Sequence, residues 1–228
     1  MSTKSIVIIQ GPLYDTCIDY IIKMTNDIPC IISTWNNEDI TKINLLKKSA
    51  IDVIVNKFPE YNGVQNVNYA NCSIISGLNR AKELGYTHAL RFRTDLYCPN
   101  FKEFINICEQ ENIEKLIGLC WYKHYVPPHG PYGYIMDHIM YGPIDKLLSY
   151  RGCIQDRNDN RFTEAFLQDT YFKKSPVSYE DVKNDFIFIL DKLRQFNIKV
   201  YFFRQGNIDY NEEFIQCYDI NRCIGTII

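Results

Sequence analysis

Three short β-branched runs in the first sixty residues, each closed by a polar break and followed by a helical pattern, leave this chain few folds to adopt. Ile6-Val-Ile-Ile9 stops at Gln10-Gly11-Pro12, Cys30-Ile-Ile-Ser-Thr-Trp35 turns polar at Asn36-Asn37, and Asp52-Val-Ile-Val55 ends at Asn56 to Pro59. Runs without alternation are strands buried on both faces, and interleaving them with helices over 16–23 and 40–48 predicts a parallel sheet in an α/β fold. A longer helical spacing from Asn68 to Leu84, stopped by Gly85, then delivers the chain to His88-Ala-Leu-Arg-Phe-Arg-Thr-Asp95.

Beyond Asp95 the pattern is less regular. Helices are expected over 101–109, 144–150, 162–172 and 179–196, and strands over 115–120 and 199–203, with 134–141 extended. Trp121 to Gly133, rich in aromatic residues and containing three prolines, is expected to be an irregular loop. No linker, repeat or low-complexity tract divides the 228 residues, so we expect one domain, with a nucleotide-sugar-binding half over 1–97 and an acceptor-binding half over 98–228.

Composition excludes several classes. A net charge of -2, with basic residues scattered among similar numbers of acids, gives no basic stripe for nucleic acid. Nine cysteines are odd in number and contain no C-x-x-C pair, which suits free buried thiols in a reducing compartment. The first apolar run is too short for a signal segment or a transmembrane span, so a cytoplasmic protein is expected.

Asp95 stands at the C-terminal end of a buried strand, beside Arg93 and Thr94 and before Pro99, where open α/β sheets place their ligand chemistry. It is a candidate ligand for a metal or substrate; the bland alternative is an ion pair with Arg93 closing the strand. Gln10, Gly11 and Pro12 form a tight turn that lets a base or ribose approach backbone atoms, or a plain β-turn. Thr34 and Trp35 end the second strand at the same edge, with Asn36 and Asp39 able to reach ribose hydroxyls, although a tryptophan is more often a core anchor. Arg80 suits either pyrophosphate or solvent. Asp137 lies in an apolar extended run, where an acid needs a partner or a function. His138 beside it suits a core position best. Glu164 and Asp169 are alternative acids whose five-residue separation does not place them on one helix face. The 121–132 loop, with Lys123, His124 and His129, suits a lid over a sugar acceptor or a rigid surface loop.

Ile8-Ile-Gln-Gly-Pro-Leu13, Ile31-Ile-Ser-Thr-Trp35 with Glu38-Asp39, the Asn68 to Leu78 helix, Leu90-Arg-Phe-Arg-Thr-Asp95 and Asp137-His-Ile-Met-Tyr-Gly142 occur in the order found in one family. In these the chain resembles the WavE-type lipopolysaccharide-synthesis glycosyltransferases and their relatives in capsule loci and large DNA viruses. The resemblance spans about the first two-thirds of the chain. It implies a GT-A-like nucleotide-binding sandwich with a mostly parallel central sheet, a nucleotide-diphosphate sugar donor, a glycan or glycolipid acceptor, and usually a divalent cation, Mn2+ or Mg2+. On that pattern Gln10, Gly11, Pro12, Thr34, Trp35, Arg93, Thr94 and Asp95 bind donor, Asp95 holds the metal, and Asp137 is the general base of an inverting hexosyl or deoxyhexosyl transfer. The pattern departs at Arg93, where such enzymes carry the first carboxylate of Asp-x-Asp, and at Tyr69-Ala70, where a basic residue is common. With one carboxylate, either Asp95 alone anchors the cation or Arg93 pairs directly with phosphate. Two other readings stay open: a catalytically inactive nucleotide- or glycan-binding homologue, and a sugar-nucleotidyltransferase, disfavoured because the turn after the first strand has one glycine and no basic residue.

Overall fold

The computed structural model describes residues 4–111, 114–126, 130–202 and 223–224. The first half follows its apolar pattern: β1 (Ser5–Gln10), α1 (Cys17–Met24), β2 (Cys30–Trp35), α2 (Ile40–Leu46), β3 (Asp52–Asn56), α3 (Val67–Glu83) and β4 (His88–Arg93). There follow β5 (Leu96–Tyr97), α4 (Phe101–Glu109), β6 (Leu116–Gly118), β7 (Trp121–Val126), β8 (Gly130–Ile135) and β9 (Met140–Pro143). The chain continues through α5 (Ile144–Arg151), α6 (Thr163–Phe172), α7 (Tyr179–Val182), β10 (Phe186–Phe188), α8 (Leu190–Gln195), β11 (Tyr201–Phe202) and β12 (Cys223–Ile224).

Seven strands form the central sheet in the order β10-β6-β9-β4-β1-β2-β3. β1 to β4 are mutually parallel and β10 runs parallel to β6, while β9 is antiparallel to both β4 and β6. The protein is therefore α/β with a mostly parallel central sheet, as expected, and strands from both sides of residue 97 share it. Among the described residues no helix is long and apolar enough to cross a membrane.

The strand pleat sorts the apolar runs onto two faces. Val7, Ile9, Ile32, Leu90 and Phe92 pack with Ile18 and Ile21 of α1, Ile43 and Leu46 of α2, Phe104 of α4 and Leu193 of α8. Ile6, Ile8, Ile31 and Ala89 face the other way, onto Ile74 and Leu78 of α3 and Leu147 of α5. Each fully buried residue of this type contributes about 1.5–3 kcal/mol. α3 lies close on β1 because Gly77 has no Cβ; one built there would stand 2.5 Å from Ile8 Cγ2. The helix stops at Gly85, φ 79°, where Tyr86 N–H bonds the Ala81 carbonyl and Gly85 N–H that of Lys82, the paired bonds of a left-handed helix terminus.

Two expectations are corrected. Residues 121–133 are not an irregular loop: Trp121–Val126 and Gly130–Ile135 pair antiparallel as a hairpin. Gly133 belongs to a strand because the Trp121 indole occupies the space its Cβ would fill, 2.2 Å from Cε2, and Tyr122 packs on Tyr134 across the pair. The proposed lid residue His129 lies outside the described residues, as do the side chains of Lys123 and His124. Nor is 179–196 one helix. After α7 the chain extends as β10 beside β6, placing Phe186 in edge contact with Tyr150, and burial at a sheet edge overrides local helical spacing. The pairing of β5 with β11 has no counterpart in the sequence reading.

Candidate functional site

β1, β2 and β3 run out to one side of the chain's entry point and β4 to the other, so the C-terminal ends of β1 and β4 flank a switch point in strand order. There the sheet opens into a cavity of about 590 Å³. Its β1 rim is Gln10, Gly11 and Pro12, and its β4 rim is Arg93, Thr94 and Asp95. The two rims touch at Gly11, φ 128°, where an added Cβ would lie 2.6 Å from Thr94 Oγ1, and Thr94 N–H bonds the Gln10 carbonyl at 3.0 Å. Glycine is required by both space and backbone at this position.

At the β2 and β3 ends the cavity is walled by aromatic rings. Trp35 stacks on Phe58 with centroids 4.6 Å apart and planes 12° from parallel, and Tyr69 of α3 closes on both. Trp35 is buried, while Phe58 keeps 40% of its surface exposed. The opposite wall is built from α3 and α6. Gln65 and Asn66, at φ 53° and 64°, line the cavity just before α3, and such left-handed backbone costs about 1–2 kcal/mol per residue. The turn is held by hydrogen bonds: Val64 N–H to Gln155 Oε1 at 2.7 Å, Thr163 N–H to Gln65 Oε1 at 3.1 Å, and Thr163 Oγ1 to the Val64 carbonyl at 3.2 Å. It thereby fixes the start of α6, which presents Glu164 to the cavity.

The floor is charged. Arg93 donates to both oxygens of Asp95, at 2.8 and 2.5 Å. Behind them Arg91, 2% exposed, donates from Nε to Gln10 Oε1 at 3.2 Å and stands 3.8 Å from Asp137 Oδ2. Arg151, wholly buried on α5, donates to Asp137 Oδ2 at 2.8 Å and to Asn71 Oδ1 at 3.3 Å. Burial opposes charge on Asp137, but Arg151 and then Arg91 overcome it and hold the carboxyl well below the usual carboxylate range. Burial lowers His138 to about 4, so it is neutral at pH 7. Glu164 moves the other way: burial first, then the Asp137 charge, push it up to about 7.

Most residues singled out by sequence thus meet here: Gln10, Gly11, Pro12, Trp35, Arg93, Thr94, Asp95, Asp137, His138 and Glu164 all line the cavity. Thr34 does not; it is fully buried, and its carbonyl accepts from Asn56 Nδ2 at 2.8 Å. Arg80 is also elsewhere, paired with Asp52 at 2.8 Å and Glu83 at 3.0 Å. Asp169 pairs with Arg161, and Asn68 ties the α3 start to Tyr61 and Gln155. Sequence reasoning missed Arg91 and Arg151. Strand alternation holds the signal for Arg91, since residues 89, 91 and 93 share a face; nothing local marks Arg151, whose partner is fourteen residues away.

The donor set does not fit a divalent cation at Asp95. A hard cation needs several oxygen ligands free of competing charge. Both Asp95 oxygens accept from Arg93, Asp137 is held by Arg151 and Arg91, and no group of three metal-ligating side chains occurs among the described residues. The arrangement favours an anionic ligand, an aromatic or sugar ring beside it, and a carboxyl able to gain and lose a proton near neutrality.

No protein-family model matches the chain, and no curated protein does. Solved structures similar to it include a cytidylyltransferase from Leptospira borgpetersenii, at 13% identity and a TM-score of 0.44, covering 81% of this chain and 75% of that one. A 4-diphosphocytidyl-2C-methyl-D-erythritol synthase from Anaerococcus prevotii is similar at 12% identity and a TM-score of 0.44, over 80% of this chain and 96% of that one. Core-mannan synthase A from Aspergillus fumigatus, in a Mn/GDP form, is similar at 6% identity and a TM-score of 0.42, over 88% and 76%. At these scores nothing about activity transfers to this chain, and its chemistry is argued from its own residues.

Proposed function

We propose that the protein is a glycosyltransferase that moves a hexosyl or deoxyhexosyl group from a nucleotide-diphosphate sugar to a glycan hydroxyl with inversion. The observation that carries the reading is Glu164, a carboxyl with its pKa near 7, facing a cavity that also offers aromatic rings and guanidinium groups. A general base works best with its pKa near the operating pH, whereas Asp137, held far below, is a weak base and a strong anchor for Arg151.

In this reading Glu164 takes the acceptor hydroxyl proton as that oxygen bonds to the anomeric carbon. The bond from that carbon to the diphosphate breaks in the same displacement, and the nucleoside diphosphate leaves with the electron pair. Phe58 and Tyr69 offer ring faces to the base or sugar, and Gly11 lets the donor approach the β1 backbone. The test is release of nucleoside diphosphate from a panel of UDP-, GDP- and dTDP-sugars with mono- and oligosaccharide acceptors. Turnover that falls about 10²–10⁴-fold in Glu164→Gln, with a melting temperature no lower than that of the wild type, is the expected result. Nucleotide binding without turnover would establish the inactive homologue instead, and pyrophosphate release from a nucleoside triphosphate and a sugar phosphate would establish the nucleotidyltransferase.

A further inference from the structure

The cavity floor holds a buried guanidinium whose hydrogen bonding is incomplete. Arg91, Arg93 and Arg151 are three cations, while Asp95 and Asp137 are the two carboxylates paired with them. His138 adds no charge at neutral pH. Two further acids line the wall: Glu38 accepts from Leu13 N–H at 3.0 Å at the β1 turn, and Glu164, pushed up to about 7, is only partly ionised at neutral pH. A buried guanidinium N–H left without an acceptor loses its hydrogen bonds to water with no return. Arg91 has such a group: Nη1 is buried without a hydrogen-bond partner among the described residues, and the side chain lines the cavity. Arg93, 30% exposed on the same strand face, extends the positive surface to the rim. The first turn of the seventeen-residue α3 (Val67, Tyr69, Ala70) lines the same cavity and adds the positive end of its dipole.

We propose that Arg91 and Arg93 of β4, together with the first turn of α3, form a seat for a diphosphate that binds without a divalent cation. A small swing of the Arg91 guanidinium gives a phosphate oxygen the hydrogen bond Nη1 lacks, while Arg151 keeps Asp137 paired beneath it. Arg93 meets the second phosphate from the rim, its fork to Asp95 fixing its direction. Two guanidinium groups and a helix terminus offset the charge that a metal otherwise neutralises. Identifying the diphosphate as that of a nucleotide sugar rests on the proposed function; the seat itself does not.

The experiment is calorimetric titration of inorganic pyrophosphate, UDP and GDP into the full chain in EDTA, repeated for the nucleotides with manganese, on wild type, Arg91→Met and Arg93→Met. Pyrophosphate and one nucleotide are expected to bind in EDTA, about tenfold weaker in each variant, with manganese changing the wild-type nucleotide affinity by less than about threefold. Arg93→Met removes the partly exposed partner and keeps the test decisive if Arg91→Met melts early. Pyrophosphate binding without nucleotide binding would uphold the seat and remove the donor reading. Nucleotide binding that appears only with manganese would overturn the seat and keep the donor reading. Absence of binding to all three ligands in EDTA and to both nucleotides with manganese would overturn both.

Discussion

At the residue scale the site is governed by two carboxyls driven apart by their neighbours. Asp137 shares a buried cluster with Arg151 and Arg91 and stays ionised, and its charge helps burial lift Glu164 toward neutrality. Asp137→Asn removes that charge while leaving both guanidinium groups in place. Both effects favour ionised Glu164, so with Glu164 as the base the acid limb of the kcat/KM profile, expected at about 7 in the wild type, moves to lower pH in the variant. A pH–rate series checks this; if Asp137 were the base, the limb would not move and kcat would drop about 10²–10⁴-fold instead. Leaving a buried guanidinium without its carboxylate also costs about 3–5 kcal/mol, read as a lower melting temperature. The linkage for Glu164 has the opposite sign. Its folded pKa is raised, so the native state binds more protons and stability falls as pH rises from the unfolded value, about 4.3, through about 7. Glu164→Gln removes that loss and is expected to gain on the wild type as pH climbs through this window.

At the element scale the cavity depends on how tightly α3 lies on β1, because the helix brings Tyr69 and its own first turn to the ends of the strands. Gly77 sets that distance against Ile8. Gly77→Val forces the helix outward and is expected to destabilise by about 1–3 kcal/mol, lowering the melting temperature by roughly 2–4 °C per kcal/mol. Differential scanning calorimetry measures it, and an unchanged transition would show that α3 is not held by this contact. The same elements show what the sequence makes legible. β1 to β4 and α1 to α3 are readable because unbroken β-branched runs and a glycine stop are local signals, and so is the strand-end placement of Gln10, Asp95 and their neighbours. The β7–β8 hairpin and β10 are not readable. Their strand character comes from partners distant in sequence, such as Trp121 over Gly133 and Phe186 against Tyr150. Which carboxyl titrates near neutrality is hidden for a related reason: the contrast between Asp137 and Glu164 depends on Arg151, which α5 contributes only after folding.

At the scale of the whole molecule, the apolar layer on one face of the sheet seals five of the seven thiols among the described residues. Cys17, Cys30, Cys98, Cys108 and Cys120 are buried thiols outside any disulfide, and Cys72 and Cys153 are partly exposed. Burial raises Cys17, Cys30 and Cys98 to about 12, so none supplies thiolate at pH 8 in the folded state. Cys72 and Cys153 are raised as well by burial, but reagent can reach them. Alkylation with iodoacetamide at pH 8, followed by peptide mass analysis, is therefore expected to modify Cys72 and Cys153 first among these seven, with the buried five reacting only as the chain unfolds. Because those five lie in the layer that packs α1 and α4 against the sheet, their labelling rate reports the opening of that whole layer. A cavity ligand that binds only the folded chain slows it by a factor of one plus the ratio of free ligand concentration to Kd. Protection of the five by pyrophosphate in EDTA, weakened in Arg93→Met, would tie the stability of the fold to the charge on its cavity floor.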